Sequence, residues 1–305
     1  MKKRPRTQGL SLVLALLAVL TFTIAATPQK PSGEKEPPKG EPPSKKENKS
    51  GVPSSGGKIK TDAVDLGGGM KLELVWIPGG IFQMGSPDSE RGHQRDAGPV
   101  RTVELDGFWM GKTEVTQEQY QAVMGWGSIP RSRSPVRFRG ARFPMDSASW
   151  DAAKVFCREV SQKTSKEFRL PTEAEWEYAC RAGSATRFCF GDSDEELDKY
   201  AWYLGNSGYK LHPVGEKKPN KWGLYDMHGS VWEWCEDRDR EEEHDCESNE
   251  RKNPKGPSSG EWRVIRGGCC FVDPLFCQSA FRAISRPSSL GGNGFRVVCV
   301  SKPRS

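Results

Sequence analysis

The sequence predicts a single α+β domain, rich in loops and poor in regular structure, carried behind an N-terminal export segment. Three observations lead there. Helix start signals are confined to residues 116–183. Strand-like runs are short and scattered between Leu72 and Val300. After Gly183 the chain is rich in Gly, Trp, Asn and Pro, with long stretches between short apolar runs. Residues 61–305 suit one large domain better than two small ones, and no fixed-period repeat is present.

The elements follow in order. Leu72–Ile77 (LELVWI) reads as a buried strand stopped by Pro78, Gly79 and Gly80. Ile81–Met84 is a second short strand before a Gly/Pro/Asp-rich loop. Val100–Leu105 alternates as a half-buried strand, and Gly107–Met110 is expected to continue it. Thr116 with Gln119 three residues on is a capping box opening a helix through Val123. Ser149 caps a second helix, with Val155, Phe156 and Val160 on its apolar face. Pro171 and Thr172 open a third, with Glu175 at its third position and Gly183 stopping it. Trp232–Trp234, Trp262–Arg266 and Phe295–Val300 are short strands among long loops. Such loops need metal ions or disulfides to hold them.

The N-terminus carries its own signals. Lys2, Lys3, Arg4 and Arg6 precede an apolar run from Leu10 to Ala26, with small residues and Pro28 behind it. Residues 1–26 read as a signal peptide or signal anchor. Residues 27–60, dominated by Pro, Lys, Glu, Ser and Gly, read as a disordered linker that cannot bury enough surface to order itself. Residues 1–60 hold 12 basic and 4 acidic side chains, against 34 and 36 in the remainder. The basic balance of the chain therefore lies in the tail. Without a basic body, nucleic acid is excluded as a partner, and the membrane is reached only through an uncleaved anchor. The expected location is outside the cytoplasm: periplasmic, cell-surface or secreted.

Nine cysteines are too few for a disulfide scaffold, and their odd number leaves at least one unpaired within the chain. Cys269, Cys270 and Cys277 follow a glycine pair and offer soft, redox-capable sulfur, or else buried thiols. Trp222–Trp234 (WGLYDMHGSVWEW) is the densest aromatic stretch. It reads either as Trp packing around a turn or as a Ca²⁺ site built on Asp226 and Glu233. The four histidines stand at no metal-helix spacing, and no G-x-S-x-G elbow, P-loop or dinucleotide fingerprint occurs.

One ordered set of motifs goes further. Met84-Gly85-Ser86, Gly111–Thr116 (GKTEVT), Ser149-Trp150, Arg169–Ala179 (RLPTEAEWEYA), Gly223–Trp234, Arg266-Gly267-Gly268 and Gly294-Phe295-Arg296 together resemble the formylglycine-generating enzyme (sulfatase-modifying factor) family. The resemblance implies a C-type-lectin-related α+β domain stabilised by Ca²⁺. It implies that Asp226 and Glu233 by side chain, and Gly229 and Val231 by carbonyl, hold one Ca²⁺. It places a second near Trp202, Tyr203, Asn206 and Gly208, where Trp202 lacks the side-chain oxygen. It also implies a disulfide from a helix to the last strand, for which Cys157 and Cys299 are the candidates; the pairing of Cys235 and Cys246 stays open.

Active members of that family oxidise a sulfatase cysteine to formylglycine with O₂ and Cu(I) held by two thiolates. By resemblance Cys277 is one of these, but Val272 stands at the other. Cys269 falls on the family's active-site serine, and Trp232 on the tryptophan lining the substrate pocket. Three functions follow as expectations. The first is an exported, calcium-stabilised paralogue without formylglycine-generating activity, recognising a protein or peptide ligand such as an exported sulfatase. The second is an active Cu(I)-dependent oxidoreductase using Cys269 with Cys277. The third is a related metal-dependent oxidative enzyme.

Overall fold

The structure, a computed structural model, describes residues 58–125, 139–239 and 251–300. The expected export segment, nearly all of the linker, His244 and Cys246 lie outside them. The described strands are β1 (Thr61–Gly67), β2 (Met70–Ile77), β3 (Gly80–Met84), β4 (Arg101–Leu105), β5 (Phe108–Gly111), β6 (Phe168–Arg169), β7 (Trp232–Asp239), β8 (Trp262–Arg266), β9 (Arg282–Ser285), β10 (Asn293–Gly294) and β11 (Val298–Cys299). The helices are α1 (Gln117–Met124), α2 (Trp150–Thr164) and α3 (Glu173–Arg181), with three short 3-10 turns besides.

An antiparallel five-stranded sheet runs β1-β2-β5-β11-β6. Its strands alternate between two cores, which explains why LELVWI is apolar on both faces. Leu72, Leu74 and Trp109 pack with α1 and α2 through Tyr120, Phe156 and Val160. Val75, Ile77, Phe108 and Met110 pack with α3 through Trp176 and Tyr178. A second sheet, β10-β7-β8-β9, carries the aromatic stretch and leads into the cysteine loop. Its β10–β7 pair is parallel and the others antiparallel.

Local chemistry sets the helix starts. Thr116 accepts from the Gln119 N–H while the Gln119 side chain accepts from the Thr116 N–H, and Thr172 and Glu175 repeat the device. Ser149 caps α2, which buries Ala153, Phe156, Cys157 and Val160, while Val155 lies only half-buried.

Three expectations need correction. Gly107–Met110 does not extend β4. The chain breaks at Asp106 and Gly107, β4 pairs with β3, and β5 enters the large sheet beside β2. A Cβ on Gly107 would lie 2.5 Å from the Trp76 ring, so the chain turns where only glycine passes. Of Phe295–Val300, only Val298 and Cys299 form a strand. The expected Cys157–Cys299 disulfide is not formed: both residues belong to one apolar core, and Cys157 is a free thiol. Burial pushes that thiol up to about 12.

All nine residues of α3 are buried, including Glu173, Glu175, Glu177 and Arg181. Buried charges persist only when paired. Glu175 takes Arg169 bidentately at 2.6 Å to each oxygen. Glu173 accepts from Arg282 at 2.9 Å. Glu177 accepts from Arg181 at 2.8 Å, Arg266 at 2.5 Å and the Gly85 N–H at 2.8 Å. The helix start also rests on Asp237, whose Oδ2 accepts the Glu173 N–H at 2.8 Å.

Burial, then the neighbouring Glu173, raises Asp237 to about 7. Its unfolded value is about 3.9, so between those two values the folded chain holds a proton that the unfolded chain has released. This group therefore makes stability fall as pH rises through that window, by at most about 1.4 kcal/mol per pH unit. Asp237→Asn keeps an acceptor for the Glu173 N–H and removes the proton. Urea unfolding at pH 5, 6 and 7 should show the wild-type free energy declining relative to the variant. Parallel trends in the two proteins would contradict the assignment.

Candidate functional site

The cysteine loop leaves β8 through Gly267 and Gly268, both at positive φ (94° and 75°). A Cβ on Gly268 would lie 2.7 Å from the Cys277 sulfur and 2.9 Å from the Phe276 carbonyl oxygen. The glycine lets the two ends of the loop meet. Arg266 then binds the far end: Nη1 donates to the Ala280 and Phe281 carbonyls at 2.9 and 2.8 Å, and Nη2 to Ser279 at 3.0 Å. The loop flank is tied to two other segments, by Cys270 N–H to the Ser230 carbonyl (2.9 Å) and Leu204 N–H to the Val272 carbonyl (3.0 Å).

Cys277 lies at the end of a 3-10 turn, fully buried, its thiol against the Asp273 carbonyl at 3.8 Å. Val272 packs its isopropyl group into the small core that Cys277 shares with Phe188, Leu197 and Ala201. The structure thus puts alkyl carbon against the cluster that contains Cys277, where the family resemblance calls for a second thiolate. Cys269 is brought toward Trp232, and 5 % of its surface is exposed. Burial raises Cys269 to about 11, while the Phe271 N–H and the Trp232 indole pull the other way. Burial raises Cys277 well above the usual thiol range, and an ionised Cys269 would push it further. Without a metal, burial favours the neutral thiol at both positions; the pair the family resemblance implies lacks its second sulfur because Val272 offers no lone pair. Trp232 is half-buried and lies 6.0 Å from Phe281, which in turn meets Phe276 at 5.1 Å, giving an aromatic rim next to Cys269.

His228 lies beneath this loop. Its Nδ1–H donates to the Cys277 carbonyl at 2.8 Å, which leaves Nε2 to accept the Cys189 N–H at 3.2 Å. Burial lowers it to about 4, so it is neutral with both nitrogens in use. His93 pairs with Ser86 and His212 stacks on Trp202, so the described histidines form no common metal site.

The expected calcium residues occupy a strained turn. Asp226 (φ 59°) and Ser230 (φ 65°) are left-handed, and a Cβ on Gly229 would meet the Trp202 carbonyl oxygen at 2.3 Å. Glu233 does not offer open oxygens. Arg296 takes both, at 2.6 and 2.7 Å, and the Trp176 indole donates at 2.8 Å. Burial would pull Arg296 down, but contact with Glu233 carries it above its ordinary value.

The unsatisfied carboxyls lie elsewhere. The Asp226 and Glu114 carboxyls lie close enough to share a proton. Asp226 Oδ2 accepts the Gly215 N–H at 2.7 Å, but its Oδ1 has no other donor. Neither oxygen of Glu114, which is fully buried, has one. Burial and then the charge of Asp226 raise Glu114 well above its usual range; burial lifts Asp226 to about 6. Glu114, Asp226 and Glu233 against Arg296 leave two negative charges that require protons or a cation. Oxygen donors of this kind fit a hard divalent ion. Among the described residues no three His, Cys, Asp or Glu side chains form a ready ligand set, so carbonyls would have to complete the shell. Glu114 was present in the GKTEVT motif, but nothing local in the sequence marked it as a partner of Asp226.

The comparisons with known proteins agree with this layout. Residues 66–300 match the profile of the Sulfatase-modifying factor enzyme 1-like domain family. The chain is 29% identical over 285 residues to the formylglycine-generating enzyme of Thermomonospora curvata, covering 73% of this chain and 91% of that protein. It is 31% identical over 242 residues to the serine/threonine-protein kinase pkn1 of Chlamydia pneumoniae, covering 72% of this chain but only 36% of the kinase. The chaperone protein LppX of Paenibacillus barcinonensis is 28% identical over 65% of this chain and 82% of its own. Among solved structures, Treponema denticola variable protein 1 aligns with a TM-score of 0.68 at 30% identity, covering 79% of this chain and 99% of its own. PvdO from Pseudomonas aeruginosa aligns at 0.71 and 29%, covering 79% and 98%.

The thiol environments give a direct check. Of the eight described cysteines, all buried, Cys269 combines the small exposure with opposing donors. Brief labelling of the folded chain with a maleimide, mapped by mass spectrometry, should modify Cys269 before Cys180, Cys235 or Cys277, and faster as pH rises. Earlier labelling of Cys277 would contradict the burial described.

Proposed function

Because the chain belongs to the Sulfatase-modifying factor enzyme 1-like domain family, we propose that it is an exported, calcium-stabilised recognition domain without formylglycine-generating activity. The observation that carries this reading is Val272, whose side chain packs against the small core that contains the buried Cys277. Valine has no lone pair to offer a soft metal, which leaves Cys277 without the second sulfur that the family's copper site uses. The relatives support a scaffold whose use varies: their names include a kinase, a chaperone and a variable protein as well as formylglycine-generating enzymes. The ligand in this reading is a protein or peptide segment, such as part of an exported sulfatase, that lays an apolar side chain on the Trp232–Phe281–Phe276 rim. Export rests on the N-terminal basic and apolar run, and an N-terminus near Ala26–Pro28 in material from the native host would support it.

Calcium in this reading is held by Asp226 and Glu114, with the carbonyls of Gly229 and Val231 completing the shell. Glu233 serves Arg296 instead. When bound, the ion supplies positive charge to a buried acidic cluster and fixes the strained 226–230 turn.

The catalytic claim is tested with a Cys-x-Pro-x-Arg peptide under O₂ with added Cu(I). No aldehyde product is expected by mass spectrometry. Aldehyde formation that disappears in both Cys269→Ser and Cys277→Ser would instead establish the rearranged copper pair. The calcium claim is tested by melting. At a hundredfold excess over its dissociation constant, a ligand binding only the folded state adds about 2.7 kcal/mol. A chelator should lower the wild-type melting temperature, and Glu114→Gln with Asp226→Asn should remove most of that response. Melting curves indifferent to chelator would rule the ion out.

A further inference from the structure

The family resemblance puts a second calcium ion near Trp202, Tyr203, Asn206 and Gly208, and the geometry there does not fit one. Trp202 has no side-chain oxygen. The side chain of Asn206 is fully engaged: Oδ1 accepts the Tyr203 N–H at 3.0 Å, and Nδ2 donates to the Ala201 carbonyl at 2.9 Å and Asp198 Oδ1 at 3.3 Å. The Tyr203 hydroxyl also donates to Asp198 Oδ1, at 2.7 Å. The side-chain acceptors Asn206 Oδ1 and Asp198 Oδ1 already hold protein donors.

A protein cation stands there instead. Lys217 Nζ lies 3.8 Å from the Trp202 ring centroid and donates to the Asp198 carbonyl at 2.6 Å. His212 stacks on the same indole, with centroids 3.6 Å apart and planes 9° from parallel. Two groups so close to one ring centre cannot share a face, so the indole is sandwiched between ammonium and imidazole. His212 is itself fixed, its Nε2–H donating to the Ser207 carbonyl at 2.9 Å. The Trp202 carbonyl accepts the Ser230 N–H at 2.8 Å, which ties the sandwich to the turn bearing Asp226. An ammonium over an aromatic face is attracted by the ring quadrupole, more strongly when partly desolvated, and repels any second cation nearby.

We propose that Lys217 is the resident cation of residues 198–217, standing where the family resemblance calls for a metal, so that the chain takes one calcium ion and not two. The count of one rests on the calcium reading given above; the role of Lys217 does not.

The test uses the full chain. Lys217→Met keeps the aliphatic length and removes the charge, whereas Lys217→Arg keeps a cation that stacks on indole. Lys217→Met should lower the melting temperature by about 2–6 °C, equally in calcium and in chelator, and Lys217→Arg should stay near wild type. Calorimetric titration with calcium chloride should saturate at one ion per chain. No bound calcium, with the Lys217→Met loss intact, would remove the calcium reading while upholding Lys217. Two ions per chain, one of them lost in Asn206→Ala, would overturn the proposal, as would an unchanged melting temperature in Lys217→Met. Should that variant not fold, hydrogen exchange of wild type across residues 198–217 decides: protection unchanged by chelator supports Lys217, and protection lost with calcium overturns it.

Discussion

Glu177 is the point from which the cysteine loop hangs. It sits in a helix with no solvent face and binds Arg181, Arg266 and the Gly85 N–H at once. Arg266 is the residue before the glycine pair, and its remaining N–H groups hold the Ser279, Ala280 and Phe281 carbonyls. The position of Cys277 is therefore set by charge pairing with α3 rather than by the loop's own short 3-10 turn. Removing one partner from a buried pair of this kind costs about 3–5 kcal/mol, because the other is left charged and dry. The neighbouring Trp176 extends the same control to β7 by donating to Glu233. One helix thus orients both the thiol loop and the acidic cluster.

The two clusters differ in how their charge is balanced. Around α3 the carboxylates meet guanidiniums: Glu173 with Arg282, Glu175 with Arg169, and Glu177 with Arg181 and Arg266. Around Asp226 three carboxyls share one guanidinium, Arg296, with the Lys217 ammonium also within electrostatic reach of Asp226, and two of them keep oxygens without a donor. Desolvated like charges cannot all ionise without compensation. That deficit is met either by protons, as the raised Glu114 and Asp226 carboxyls allow, or by a cation, and the calcium proposal rests on it rather than on any preformed ligand cage. The neighbouring 198–217 segment shows the other solution, in which Lys217 supplies the positive charge from within the chain.

Much of this was legible in the sequence, and the rest fails for identifiable reasons. Helix starts were readable because Thr116, Ser149 and Thr172 act on backbone groups three residues away. The LELVWI strand was readable because burial on two faces leaves the apolar run Leu74–Ile77, interrupted only at the exposed Glu73 before it. The complete burial of α3 was not, since Glu173 and Glu177 look solvated until Arg282 and Arg266 arrive from distant segments. β5 was misjudged as an extension of β4 because the steric conflict at Gly107 comes from Trp76 in another strand. β1, β6, β9 and β10 were missed, and each is secured by pairing, with β2, β11, β8 and β7 respectively. At the site, Cys269 and Trp232 were singled out by the family resemblance and Asp226 by its place in the aromatic stretch. Glu114 and the engagement of Glu233 by Arg296 were not, because both depend on contacts between sequence-distant elements.

The central claim is that Val272 deprives Cys277 of the partner a soft metal requires. Cu(I) binding measured against a competing chromogenic chelator addresses it with least ambiguity, comparing wild type, Val272→Cys, and each with Cys277→Ser. The account predicts no tight Cu(I) in wild type and about one ion per chain in Val272→Cys, lost again when Cys277 is replaced. One tightly held Cu(I) in wild type, lost on replacing Cys269 or Cys277, would contradict it.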